Sequence, residues 1–122
     1  QLEDQLFLHT DFIANEEVRN YFGAADLVVQ PYKTATQSGV TQIGYHFEKP
    51  MLVTHVGGLP EIILHDKTGF VCAVNAQDIT EHILQFFQQD KASVFAPFIK
   101  EEKKKYSWKS LIDSIISVAE RL

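Results

Sequence analysis

Residues 50–61 read Pro-Met-Leu-Val-Thr-His-Val-Gly-Gly-Leu-Pro-Glu, an apolar run that leads into a glycine pair and then a proline and an acid. Residues 51–53 predict a buried strand, because the run is short, rich in β-prone side chains and bounded by Pro50 on one side and Thr54 and His55 on the other. Gly57 and Gly58 can adopt backbone angles closed to other residues, so another group can come close to the main chain there. Leu59, Pro60 and Glu61 predict a helix start: proline suits the first turn, and an acid in that turn meets the positive end of the helix dipole. A strand end, glycines and a helix N-terminus in that order form the arrangement in which α/β sheets bind phosphorylated ligands. A plain tight turn satisfies an isolated glycine pair equally well, so the neighbouring segments decide.

Upstream, residues 27–30 predict a strand stopped by Pro31, and residues 6–9 predict another. Between them, Asn15 reads as a helix N-cap before the acidic Glu16 and Glu17, and Val18, Tyr21 and Phe22 supply an apolar stripe that ends at Gly23, about two turns on. After a polar loop over 32–37, Ser38 and Gly39 open a second helix that runs to His46, with Val40, Ile43, Tyr45 and Phe47 as its apolar contacts. Strand, helix, strand, helix, strand with short links predicts an α/β fold: a Rossmann-like parallel sheet flanked by helices, with right-handed crossovers. Downstream, residues 65–69 form a turn and 70–74 a further strand. From Ala76 the period is helical, with Ile79, Ile83, Leu84, Phe86 and Phe87 on the apolar side. Residues 92–105 and 107–122 complete a helical C-terminal tail, and Trp108, Leu111, Ile112, Ile115, Ile116 and Val118 give its last helix a broad apolar face. The expected organisation is a single partial domain over 1–122, with a βαβ core over 1–75 and C-terminal helices over 76–122.

The 122 residues, 45% hydrophobic and 22% charged, suit one soluble domain with a modest core. A net charge of −5 supplies no basic field for nucleic acid or an anionic bilayer, and the lysines at 103–105 read as a solvated helix face. No apolar stretch reaches membrane-spanning length, and Gln1-Leu2-Glu3-Asp4 lacks the character of a secretory leader. Cys72, the only cysteine, lies in the apolar run 69–74 and is expected to be a small buried hydrophobe rather than a nucleophile. The lack of a disulfide framework fits a reducing cytoplasm. His46, His65 and His82 show no ligand spacing with carboxylates or with Cys72, so no bound metal is expected.

Taken in order, residues 15–22, Ala24-Ala25-Asp26-Leu27-Val28-Val29, Pro31-Tyr32, Gln37-Ser38-Gly39-Val40, Lys49-Pro50, Val56-Gly57-Gly58-Leu59-Pro60-Glu61 and Asp66-Lys67-Thr68-Gly69-Phe70 resemble the donor-binding C-terminal domain of GT-B glycosyltransferases, specifically the large retaining class called group 1 or family 4. The resemblance implies transfer of a sugar, with retention, from a nucleoside-diphosphate sugar to a saccharide or lipid-linked acceptor. The donor would lie in the cleft between two Rossmann-like domains. It further implies bacterial-type polysaccharide or glycolipid assembly in the cytoplasm or at the inner face of the membrane. In such enzymes the counterpart of Gln37, Ser38, Gly39 and Val40 presents backbone N–H groups to the diphosphate. Unpaired N–H groups and the helix dipole can stabilise that leaving group without a bound metal. The donor-binding residues implied are Thr36, Gln37, Ser38, Gly39 and Val40 on one wall and His55, Gly57, Gly58 and Glu61 on the other. No catalytic residue is assigned. Ser38 equally suits a helix N-cap, Glu61 either steadies a helix dipole or faces the nucleotide, and His55 is either a ligand contact or an ordinary polar loop residue.

Many relatives carry two glutamates around this loop, one contacting the sugar and one the ribose. Ala35 and Ile43 occupy those positions here, and Thr36 and Gln37 are the nearest polar substitutes. The resemblance also implies an N-terminal acceptor domain and an opening βαβ unit with a basic residue facing the diphosphate, so the 122 residues alone are expected to have negligible transferase activity. Two alternatives stand beside this reading: a non-catalytic module that binds nucleotide sugars or protein partners, and another GT-B enzyme such as a sugar epimerase. Besides the nucleotide-sugar donor and the N-terminal domain, the expected partners are a membrane surface touched peripherally by the full-length protein and a second copy docked on the last helix. Nucleic acid is not expected.

Overall fold

The computed structural model describes residues 2–11, 13–36, 39–106 and 108–121. At its centre lies β2 (Met51–Thr54), every residue of which is buried. No water reaches the polar backbone groups of a strand buried on both faces, so both its edges must be paired. β1 (Val28–Gln30) pairs on one side with Val28 opposite Met51. β3 (Gly69–Cys72) pairs on the other, with Met51 opposite Gly69, Leu52 opposite Phe70 and Thr54 opposite Cys72. Both pairings are parallel and the strand order is β1-β2-β3. Parallel neighbours need crossover links, and α2 (Gly39–His46) and α3 (Leu59–Ile62) occupy them. α1 (Asn15–Ala24) precedes β1, and α4 (Ala76–Gln88), α5 (Lys91–Lys103) and α6 (Trp108–Glu120) follow β3. The fold is therefore α/β, a three-strand parallel sheet flanked by helices, as the order of elements predicts.

Packing around β2 is close enough to demand glycine at two places. A Cβ on Gly44 of α2 would fall 2.2 Å from the Met51 sulfur, and one on Gly69 would fall 1.8 Å from the Met51 carbonyl oxygen. Phe70 of β3 meets Phe95 of α5 edge to face, with ring centroids 5.3 Å apart. Tyr45 of α2 is fully buried and donates its hydroxyl proton to the Ile62 carbonyl at 2.6 Å. Having one proton, it then accepts from the Thr68 hydroxyl at 3.0 Å, and Thr68 Oγ1 accepts from the Leu64 N–H. These bonds fasten α2 to α3 and to the turn before β3. Burial pushes the Tyr45 hydroxyl up to about 12, so it stays a donor at neutral pH.

Several local expectations need correction. Residues 6–10 form no strand, and Leu6, Phe7 and Leu8 are 66–77% exposed. An apolar run becomes a strand only when a neighbouring backbone pairs with it, and no described strand does so here. The cap of α1 is Ala14 rather than Asn15, because the Ala14 carbonyl receives the N–H of Val18, and the helix runs ten residues to Ala24, past Gly23. On α4, Phe86 is buried and Ile79 and Ile83 half-buried, whereas Leu84 and Phe87 are 52% and 59% exposed. Leu84 and Phe87 each lie one residue, about 100°, beyond that stripe. Asn75, not anticipated as a cap, accepts the Asp78 N–H at 2.7 Å. β3 stops at Cys72, and Val74 is exposed. The tail is helical as expected, and Ile112, Ile115, Ile116 and Val118 of α6 are each at least half exposed. No helix is long and apolar enough to cross a membrane among the described residues.

The contact of Gly69 with the main chain of Met51 predicts that Gly69→Ala destabilises the chain by about 3 kcal/mol, since backbone on a buried strand cannot step aside. Gly23→Ala, where nothing lies within 4 Å of the added carbon, is expected to stabilise α1 by up to about 1 kcal/mol. Urea denaturation of the two variants measures both signs.

Candidate functional site

Parallel strands end on a common edge, and the links that leave there line the crevice where open α/β sheets bind ligands. In this chain they are the link after β1 and the turn over residues 55–58 after β2. Two hydrogen bonds join them: Thr54 Oγ1 donates to the Tyr32 carbonyl at 2.5 Å, and the Gly58 N–H donates to the Thr36 carbonyl at 2.9 Å. Gly57 has a φ of 52°, in the left-handed region. A Cβ on Gly57 would lie 1.8 Å from the Ala35 carbonyl oxygen, and one on Gly58 would lie 3.0 Å from that of Thr36. The close approach permitted by the glycine pair is thus made by the chain's own loop, which the pair holds on its way into α2.

Of the residues singled out from the sequence, Thr36 is exposed and touches the glycine turn through its carbonyl. Gln37 and Ser38 lie outside the described residues. Gly39 is exposed at the start of α2 with nothing within 4 Å of an added Cβ, so the first turn faces open space on that side. The first N–H groups of a helix have no partner within it and carry the positive end of its dipole. Val40 is half-buried beside Gly39. On the second link, the His55 N–H donates to the Cys72 carbonyl at 2.8 Å and its side chain is exposed. Glu61 is exposed on α3, and its N–H donates to the Gly58 carbonyl. The structure brings residues 35 and 36 against 57 and 58, while His55 and Glu61 flank that contact in sequence without joining it by a side-chain bond.

Ala35 is half-buried against the turn, and Ile43 is 36% exposed. Ile43 borders a cleft of about 700 Å³ along α2, whose lining includes Arg19, Gly39, Gln42, His46 and Lys103. Arg19 and Lys103 come from opposite ends of the chain. Sequence spacing gives no sign that both border α2, because that depends on how α1 and α5 pack. Lys103 is also 3.8 Å from Glu48.

Cys72 is buried as expected, and burial, with the Asp78 carboxylate adding to it, pushes its thiol up to about 11. It does not stand alone. One ligand atom from each of Cys72, Asp78 and His82 lies within 4.8 Å of the others, a grouping missed from the sequence. Its signal was the Asp78–His82 spacing of one helical turn, combined with a strand that ends opposite that turn.

Gly57→Ala is expected to cost about 2 kcal/mol, from the left-handed backbone and from displacement of the Ala35 carbonyl. Amide hydrogen exchange at Gly58 should accelerate in this variant and stay unchanged in Gly39→Ala.

The profile of the group 1 glycosyl transferases matches residues 1–89. An uncharacterized glycosyltransferase of Methanocaldococcus jannaschii is 28% identical over 109 residues, covering 88% of this chain and 31% of that protein. Among solved structures, the sucrose-phosphate synthase of Thermosynechococcus elongatus superposes with a TM-score of 0.71 at 18% identity, covering 89% of this chain and 28% of that one. The Anabaena protein HepE, crystallised in complex with UDP, also gives 0.71 at 18% identity, over 87% of this chain and 30% of that one. At those identities the likeness establishes the fold. The chain spans about a third or less of the length of these relatives. With most of its length matched by the family profile and the parallel sheet shared with these neighbours, the chain belongs to the group 1 glycosyltransferases of GT-B fold.

Proposed function

We propose that this chain is the donor-binding part of a retaining glycosyltransferase that moves a sugar from a nucleoside-diphosphate sugar to a saccharide or lipid-linked acceptor. The observation that carries the reading is the clasp between the two crossover links, in which Gly57 and Gly58 hold Ala35 and Thr36 at the approach to α2. In this reading Thr36, Gln37, Ser38, Gly39 and Val40 cradle the diphosphate. The N-terminus of α2 and its dipole take up the charge that grows on the leaving group, with no metal required. Gly57 and Gly58 set the position of that loop, and His55 and Glu61 stand on the second wall. Family membership supports the reaction class. A neighbour of the same fold crystallised with UDP supports the ligand class.

An N-terminal acceptor domain would complete the cleft, and the 122 residues alone would have negligible turnover. The full-length enzyme would work in the cytoplasm or at the inner face of a membrane, in polysaccharide or glycolipid assembly. Ala35 and Ile43, standing where many relatives carry glutamates, favour a second reading: a module that binds nucleotide sugars without transferring them. A transfer assay on the full-length protein separates the two, since only the first yields product.

Titration with UDP-, GDP- and ADP-sugars, followed by amide NMR, tests the site. Shifts are expected at residues 36–40 and 55–58, and silence at millimolar ligand would remove the proposed site. The exposed face of Ile112, Ile115, Ile116 and Val118 supports self-association. Light scattering should then record a dimer that dissociates on dilution, and a monomer at every concentration would refute it.

A further inference from the structure

Three ligating side chains that the donor-binding reading does not use meet between β3 and α4. Cys72 ends β3, Asp78 and His82 stand one turn apart on α4, and one ligand atom from each lies within 4.8 Å of the other two. Cys72 is 1% exposed, whereas the side chains of His82 and Asp78 keep 19% and 29%. The cluster is therefore closed on the strand side and reachable by solvent on the helix side.

Neighbouring bonds hold the ligands in place. Asp78 Oδ2 accepts the Ala73 N–H at 2.6 Å, and the Asp78 N–H is capped by Asn75 Oδ1. Oδ1 of Asp78 lies 3.4 Å from His82 Nδ1. His82 Nδ1 is 2.8 Å from the Asp78 carbonyl oxygen. With Nδ1 engaged by that carbonyl, Nε2 is the ring nitrogen left for a metal. Phe70 and His65 flank the ring, with centroids 4.9 and 5.8 Å away.

We propose that Cys72, Asp78 and His82 bind one Zn²⁺ ion, which clamps the end of β3 to the first turns of α4. The donor set selects the ion: Mg²⁺ and Ca²⁺ take oxygen ligands, whereas Zn²⁺ accepts sulfur, nitrogen and oxygen together. Zinc bonds of about 2.0–2.3 Å place tetrahedral ligands roughly 3.3–3.8 Å apart, so side-chain rotations of about 1 Å close the site. A water on the solvent side fills the fourth position. On binding, the S–H bond of Cys72 breaks, a sulfur–zinc bond forms and the proton passes to solvent, with no change of oxidation state. Burial and the neighbouring carboxylate raise the thiol. A divalent charge between thiolate and carboxylate offsets both effects. Because the Cys72 carbonyl accepts the His55 N–H, the clamp also steadies the strand end from which the second wall of the crevice departs.

Cobalt(II) provides the test. Cys72 is the only thiol in the 122 residues, so thiolate-to-cobalt charge-transfer absorption from the reduced chain can arise nowhere else. One equivalent of Co²⁺ should produce that band and Zn²⁺ should abolish it. Zn²⁺ in excess should raise the Tm by about 5 °C while Mg²⁺ leaves it unchanged. Cys72→Ser and His82→Gln should each weaken zinc binding at least about tenfold. Asp78→Asn, which keeps an acceptor for the Ala73 N–H, should do the same without loss of fold. Absence of the charge-transfer band in the unsubstituted chain overturns the proposal without recourse to any variant. Undiminished zinc binding by His82→Gln reveals an adventitious ion only, and undiminished binding by Asp78→Asn reduces Asp78 and His82 to an ordinary ion pair. Either result overturns the site.

Discussion

Complete burial of residues 51–54 governs the rest of the structure. Each peptide group of β2 is cut off from water, and an unpaired one would cost about 1–3 kcal/mol, so the strand must be flanked on both edges. The flanking is tight at Met51. Its carbonyl sits against Gly69, its sulfur against Gly44, and the Gln30 side-chain amide lies 3.9 Å from that sulfur. Residues of β1, α2 and β3 therefore meet at Met51, two of them glycines. Tyr45 adds a polar lock beside it through Ile62 and Thr68, and the bond to Thr68 is sealed from solvent. An interior of this kind tolerates little change of volume, which is why glycines appear where a methyl group would meet backbone or sulfur.

The candidate site follows from that constraint. Because β1 and β2 run in the same direction, the links that leave them emerge together and can be clasped. Thr54, the last buried residue of β2, reaches the Tyr32 carbonyl, and Gly58, four residues later, takes the Thr36 carbonyl. The glycines serve the chain's own loop. Their contribution is to fix where α2 begins, and α2 contributes the electrostatics of a helix N-terminus, with its dipole running out from Gly39. On the other side of β2, His55 is bonded through its backbone to the end of β3, where Cys72, Asp78 and His82 converge. Sheet edge, loop clasp and helix start thus form a continuous scaffold for the crevice.

Much of this was legible in residue order. The run 51–53, the glycine pair, Pro60 near a helix start and Gly39 at another each have a local physical cause, and their succession implies a parallel α/β sheet. Where the reading failed, the deciding partner lay elsewhere in the chain. Leu6, Phe7 and Leu8 have the composition of a strand but no backbone to pair with among the described strands. Leu84 and Phe87 suit a helix core by type, yet face away from the stripe set by Ile79, Ile83 and Phe86. Asp78 looked like an ordinary first-turn acid until β3 carried Cys72 up to it.

By itself the sequence determined the fold class, the central strand and the two crossover links, because strand length, side-chain type and glycine freedom are properties of short segments. It also carried the family likeness, which resides in the order of those segments. Only the tertiary structure decided what approaches Gly57 and Gly58, which helix faces are covered, that Arg19 and Lys103 border one cleft, and that a thiol, a carboxylate and an imidazole meet behind the sheet. The physical reason is the same in each case: these are contacts between segments distant in sequence, and they exist only once burial of β2 has drawn the crossovers together.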